Sequence, residues 1–133
     1  PSLTLALGLA AREAILDSTG VACSLKWPND LLAGGRKCAG ILAQRTAAAV
    51  VAGIGVNVNQ DEFPAELGGT ATSLKMVSGR PHSREELLVR LLEAVDKYSS
   101  LLRQEGGERI MGLYFRAPER GDGHAVGAGC RQQ

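Results

Sequence analysis

A chain that turns at Pro28-Asn29-Asp30 and again at Gly34-Gly35 has only Leu31-Leu32-Ala33 between the two reversals. Three residues are too few for a helix and enough for a short strand. Proline fixes φ at the first turn, and the Asn and Asp side chains can bond back to neighbouring backbone. Gly-Gly suits the tight loop of a hairpin, where the central residues need positive φ. Residues 25–42 therefore read as strand, turn, short strand, hairpin and strand. That path brings Asp30 and Lys37 close together, beside the only Trp of the chain, Trp27.

The flanking runs agree. Residues 21–27 alternate, with Val21, Cys23, Leu25 and Trp27 on the face expected in the core and Lys26 on the other. Residues 37–45 form the next strand. Ala48 to Asn59 forms another, expected to pair antiparallel with it because the connection is short. In this last strand Val50, Ala52, Ile54, Val56 and Val58 make an apolar face, expected to pack on helices. The opposite face carries Gly53 and Gly55, then Asn57 and Asn59. Glycines within a strand often mark close approach of a ligand, and amides at the edge of a bare floor suit a flat heterocycle. No G-x-x-x-x-G-K-[ST] is present, and this G-x-G lies inside a strand rather than at a strand-to-helix turn. Neither a P-loop nor a dinucleotide fingerprint is indicated.

Helical patterns bracket the strands. Residues 3–18 are expected to form a helix, with Leu5, Leu9 and Leu16 on its buried stripe, Ser2 or Thr4 as cap and Gly20 as terminator. Residues 83–105 are a second helix, opened by the capping box Ser83-Arg84-Glu85-Glu86 and closed by Gly106-Gly107. Its expected buried stripe is Leu88, Leu91, Leu92, Val95, Tyr98 and Leu102. Residues 60–82 read as loop-rich, with Thr70-Ala71-Thr72-Ser73-Leu74 as a short ordered stretch within them, and residues 108–133 as a poorly ordered, truncated or divergent C-terminal tail with His124 solvated. The division expected is thus 1–107 and 108–133.

A net charge of +1, with both signs dispersed, gives no argument for nucleic acid or an anionic membrane. No apolar run reaches spanning length, so a cytoplasmic protein is expected. Cys23, Cys38 and Cys130 are widely spaced and odd in number. They read as buried thiols rather than a metal site or a disulfide framework. The first residue is Pro1, and a fragment or processed chain is expected.

Lys26-Trp27-Pro28-Asn29-Asp30, then Arg36-Lys37 with Ala39-Gly40-Ile41-Leu42, then Gly53-Ile54-Gly55-Val56-Asn57-Val58-Asn59, resembles the catalytic domain of biotin–protein ligases. The resemblance covers about residues 1–107. It implies an α+β fold, a mixed or antiparallel sheet packed on helices, of the class II aminoacyl-tRNA synthetase-like type. It implies ATP-dependent activation of biotin to biotinyl-AMP and transfer to a lysine of a biotin carboxyl carrier protein, with Mg²⁺. The implied roles are Lys37 as the central cation, and Asp30 to orient or deprotonate the incoming lysine or help hold Mg²⁺. Asn29 and Asn57 would line the nucleotide pocket, Gly40, Gly53 and Gly55 would leave room for ligand, and Lys26 would support the site electrostatically. The family's glycine- and arginine-rich loop lies upstream of the matched region. The other readings are a noncatalytic nucleotide- or cofactor-binding module on the same fold, and a lipoate–protein ligase relative.

Overall fold

The computed structural model describes residues 2–117, together with the backbone of residues 126–127 and 129–130. His124 and the side chain of Cys130 lie outside the described residues. Helix α1 spans Ser2–Thr19 and stops at Gly20, whose φ of 78° lets its N–H bond back to the Leu16 carbonyl at 2.9 Å. Four strands follow: β1 (Ser24–Lys26), β2 (Asp30–Ala33), β3 (Arg36–Arg45) and β4 (Val50–Val56), in the spatial order β1-β2-β3-β4, every pair antiparallel. The meander is the one the two turns dictate, with Gly34 and Gly35 at φ 61° and 80°.

Helices α2 (Leu74–Ser78), α3 (Arg84–Glu105) and α4 (Gly107–Arg116) come next, and two short strands, β5 (Val126–Gly127) and β6 (Gly129–Cys130), pair parallel as a separate sheet. One face of the sheet lies on α1, and α1 packs in turn against α3 and α4. The core joins Leu5, Ile15, Leu31, Leu74 and Ile110, each essentially without exposure. Burying side chains of this size is worth roughly 1.5–3 kcal/mol apiece. Glu13 of α1 is a tie to α3: it accepts from Lys97 Nζ at 2.9 Å and from the Tyr98 hydroxyl at 2.8 Å.

Several expectations fail for one shared reason, that alternation and helical stripes name a face but not what covers it. Trp27 is 55% exposed rather than in the core, stacked on Phe115 with ring centroids 5.5 Å apart. Strand β4 is bare along its outer half, where Val50 and Val51 are exposed; of the expected apolar face Ile54 and Val56 reach the core from its inner end, and Val58, past the end of the strand, is buried in it. The β3–β4 hairpin simply extends past the helices. Leu16 on α1, and Leu88 and Leu92 on α3, are exposed too; the α3 seam runs instead through Leu87, Leu91, Ala94, Val95, Tyr98 and Leu102. Helix α1 is already under way at Ser2, so Thr4 does not cap it.

Residues 107–116 are a further helix rather than a poorly ordered start to the tail. Gly106 both ends α3 and opens α4, and Ile110 and Tyr114 are buried against α1 and the sheet. The 60–82 loop is also more ordered than its composition suggests. Ser73 caps α2, its side chain accepting from the Met76 N–H at 3.1 Å, and Gly79 ends it in the left-handed region.

Candidate functional site

The geometry of the site follows from a β-bulge. In the β2–β3 ladder Leu31 pairs with Ala39 but Leu32 pairs with Lys37, so Cys38 is an extra residue with no partner. Bulges redirect side chains, and they concentrate near active sites. In a regular strand residues 37, 39 and 41 would share one face. Ala39 and Ile41 face the core. Without the bulge Lys37 would be driven there too; with it, Cys38 takes the core position and Lys37 joins Gly40 and Leu42 on the outer face.

There Lys37 Nζ meets Asp30 Oδ1 at 3.2 Å. Asp30 is brought opposite Gly40 by the ladder. A Cβ on Gly40 would stand 3.1 Å from both Cε and Nζ of Lys37 and 3.6 Å from Asp30 Oδ1. Gly40 thus makes room for the lysine side chain itself. Gly53 and Gly55 are different, since a Cβ on either would meet nothing within 4 Å and would project into open space.

The ion pair is a shared wall between two cavities. One, of about 450 Å³, is lined by Asn29, Asp30, Lys37, Gly40, Leu42, Gly53 and Gly55. The other, of about 510 Å³, is bounded by Lys26, Asp30, Lys37 and Asn57 on one side and by Phe63, Leu67, Thr70 and Ala71 on the other. All eight residues expected from the sequence, Lys26, Asn29, Asp30, Lys37, Gly40, Gly53, Gly55 and Asn57, therefore line one cavity or both. Lys26 stands opposite Asp30 in the β1–β2 ladder and projects outward. Asn29 has a second role through its backbone, its carbonyl accepting from Ile41 N–H at 2.8 Å.

The sequence marks residues 70–74 as a short ordered stretch, but not that they dock on β3 and wall the second cavity. Residues 70–72 clip onto the start of β3: Lys37 N–H donates to the Thr70 carbonyl at 2.8 Å, and Thr72 N–H to the Lys37 carbonyl at 2.9 Å. The clip makes the one parallel contact of the sheet, Lys37 with Ala71. Asn57 holds it in place, its Nδ2 donating to the Thr72 carbonyl at 3.2 Å. Asn59 does not face either cavity. Its amide donates to the His82 carbonyl at 2.8 Å and accepts the His82 N–H at 2.9 Å, closing the base of the 60–82 loop. Leu42 was missed as well, although alternation from Gly40 along β3 would have put it on the cavity side.

Residues 1–61 match the model of the biotin/lipoate A/B protein ligase family. The chain superposes on a biotin protein ligase from Aquifex aeolicus, solved in complex with biotin and ATP, with a TM-score of 0.80 at 33% identity over 85% of this chain. The fold is that of the biotin/lipoate protein ligases. Two curated relatives agree with it. The bifunctional ligase/repressor BirA of Bacillus spizizenii is 39% identical over 104 residues, 73% of this chain. The biotin–[acetyl-CoA-carboxylase] ligase of Mycobacterium tuberculosis is 41% identical over 97 residues, 68% of this chain. The chain spans about a third of the length of these two relatives, 32% and 36%, and 49% of the Aquifex ligase chain. The sheet class expected from the resemblance, α+β and antiparallel, is the one found. Among the described residues no helix is long and apolar enough to cross a membrane.

Proposed function

We propose that this chain carries the central part of a biotin–protein ligase active site, in a cytoplasmic protein. In the first step a biotin carboxylate oxygen attacks the α-phosphorus of ATP, and the bond to pyrophosphate breaks. In the second, the amine of a carrier-protein lysine attacks the carbonyl carbon of biotinyl-AMP, loses a proton, and AMP leaves. The observation that carries the reading is the Lys37–Asp30 pair standing between two cavities at 3.2 Å. Two reactants that must meet at one phosphorus need two adjoining compartments and a fixed cation at the junction.

Lys37 is the cation, stabilising charge as the carboxylate and α-phosphate come together. Asp30 orients Lys37 and the incoming lysine, or takes its proton. Gly53 and Gly55 leave the floor of the first cavity open, and Asn29 and Asn57 supply amides near the nucleotide. Lys26 adds positive charge at the rim. Mg²⁺ usually arrives with substrate phosphates and one or two carboxylates. Asp30 is the carboxylate lining both cavities, and no cluster of three or more His, Cys, Asp or Glu capable of holding a metal exists among the described residues. These residues fit an ion brought by ATP rather than one held by the protein alone. Every residue named falls within residues 1–107, proposed as the catalytic part, with residues 108–133 as a divergent tail whose first helix braces it.

The test is Lys37→Ala in the native full-length protein, with pyrophosphate release measured in the presence of biotin and ATP. A fall of at least about 10²-fold is expected, the scale seen when a preorganised electrostatic group is removed from an active site. Near-normal release would refute the assignment. Release with lipoate in place of biotin would move the protein to the lipoate branch, and ATP binding without any release would mark a noncatalytic module.

A further inference from the structure

The segment that carries Lys26, Asn29, Asp30 and Lys37 has a cysteine at each end. Cys23 immediately precedes β1, and Cys38 is the bulge residue of β3. The two strands are not hydrogen-bonded neighbours, since β2 lies between them. The bulge nevertheless turns Cys38 inward until its Sγ lies 3.6 Å from Sγ of Cys23. Both are free thiols in the core. A disulfide bond measures about 2.05 Å, so closing this pair needs a sulfur displacement of roughly 1.5 Å, within reach of side-chain rotation and a small adjustment of the bulge. We propose that Cys23 and Cys38 are a disulfide-forming pair, closed by hydrogen peroxide, that staples the two roots of the segment 23–38. The proposal stands apart from the ligase reading and does not depend on it.

Cys23 is the thiol that reacts first, because it retains 6% exposure and Cys38 has none. Its thiolate attacks one peroxide oxygen and the O–O bond breaks. Sulfur keeps a hydroxyl as sulfenic acid, and the departing hydroxide takes the thiol proton to become water. The Cys38 sulfur then attacks Cys23 Sγ and displaces that hydroxyl, which leaves with the Cys38 proton as a second water. Two thiols are oxidised and one peroxide is reduced. The Cys38 sulfur and burial together push the Cys23 thiol well above its ordinary range, while the nearby Arg12 charge pulls the other way. Arg12 is anchored there, its Nε donating to the Cys23 carbonyl at 3.3 Å. Thiolate is therefore scarce, and the pair stays reduced until peroxide persists.

The 133-residue chain, treated with hydrogen peroxide, alkylated and digested without reductant, should yield a peptide cross-linked between Cys23 and Cys38, lighter by a pair of hydrogens than the two reduced peptides. Closing a loop of this length should raise Tm by roughly 10 °C. Dithiothreitol should reverse both changes, and Cys23→Ala and Cys38→Ala, which keep the core apolar, should show neither. The proposal is overturned if both thiols are recovered alkylated after peroxide. It is equally overturned if Cys23 goes on to sulfinic acid with Cys38 still free, if the cross-link forms to Cys130 instead, or if a 23–38 cross-link leaves Tm where it was.

Discussion

Gly40→Ala separates the placement of Lys37 from the stability of the fold. The added Cβ would lie 3.1 Å from Lys37 Cε and Nζ, tighter than ordinary van der Waals contact, so the lysine end must give way. It can do so cheaply, because the Lys37 side chain is about half exposed and flexible. The Lys37–Asp30 pair is correspondingly worth no more than about 1 kcal/mol to folding, as is usual for solvent-exposed ion pairs. Gly40 does not sit at positive φ, and replacing a glycine at an ordinary backbone conformation recovers about 0.4–1 kcal/mol from the unfolded state. The two effects nearly cancel, and urea unfolding should find a change under about 1 kcal/mol. Catalysis has no such compensation. Misplacing a reacting or stabilising group by about 1 Å can cost on the order of 10²-fold, so biotin-dependent pyrophosphate release should fall by roughly 10- to 100-fold. The reasoning is wrong if activity is retained, or if stability falls by several kcal/mol, since either result would mean that the Gly40 site does not hold the lysine end.

Other substitutions probe separate links. Asn59→Ala removes both bonds to the His82 backbone and should destabilise by about 2–3 kcal/mol, with the 60–82 loop showing faster amide exchange. Asn57→Ala should weaken ATP more than biotin in separate calorimetric titrations, because its amide secures residues 70–72 at the second cavity. Ile110→Ala should cost about 2–5 kcal/mol in chemical unfolding, and a negligible change would contradict the packing of α4 on the core. His82 is held below its usual range, first by burial and then by the Arg80 charge, against a backbone hydrogen bond at Leu74. A depressed pKa favours the neutral ring in the folded state. Its contribution is complete above about pH 6.5 and is lost as pH falls toward the folded value. A stability titration should show this acid-side loss, and His82→Gln should abolish it.

How far the sequence reached depended on distance along the chain. Turns and capping are local: the reversals at Pro28–Asp30 and Gly34-Gly35, the Gly20 stop and the Ser83 cap were all readable, and with them the approach of Asp30 to Lys37. The clip of residues 70–72 onto β3 joins positions more than 30 apart through backbone atoms, which carry no side-chain signature. The exposure of Trp27, Val50 and Leu88 depends on where neighbouring elements stop, and no periodicity encodes that. The bulge was hidden for another reason. The turns alone place Lys37 beside Asp30, and an extra residue at Cys38 is invisible until the strands are paired.

That extra residue restricts how the protein can change. On an ordinary strand a charge can be moved along one face in two-residue steps, by substitutions that each leave a workable intermediate. At this point of β3 the neighbouring positions on the C-terminal side, 38 and 39, both look inward. A lysine shifted by one or two places in that direction would enter the core instead of a new part of the cleft, at the cost of burying an unpaired charge. The cation is pinned by the path of the main chain, whereas the open glycine floor at Gly53 and Gly55 can accept side chains. Variation in what such a site holds is therefore expected on the floor, and variation in where the positive charge stands would need an insertion or deletion in the strand.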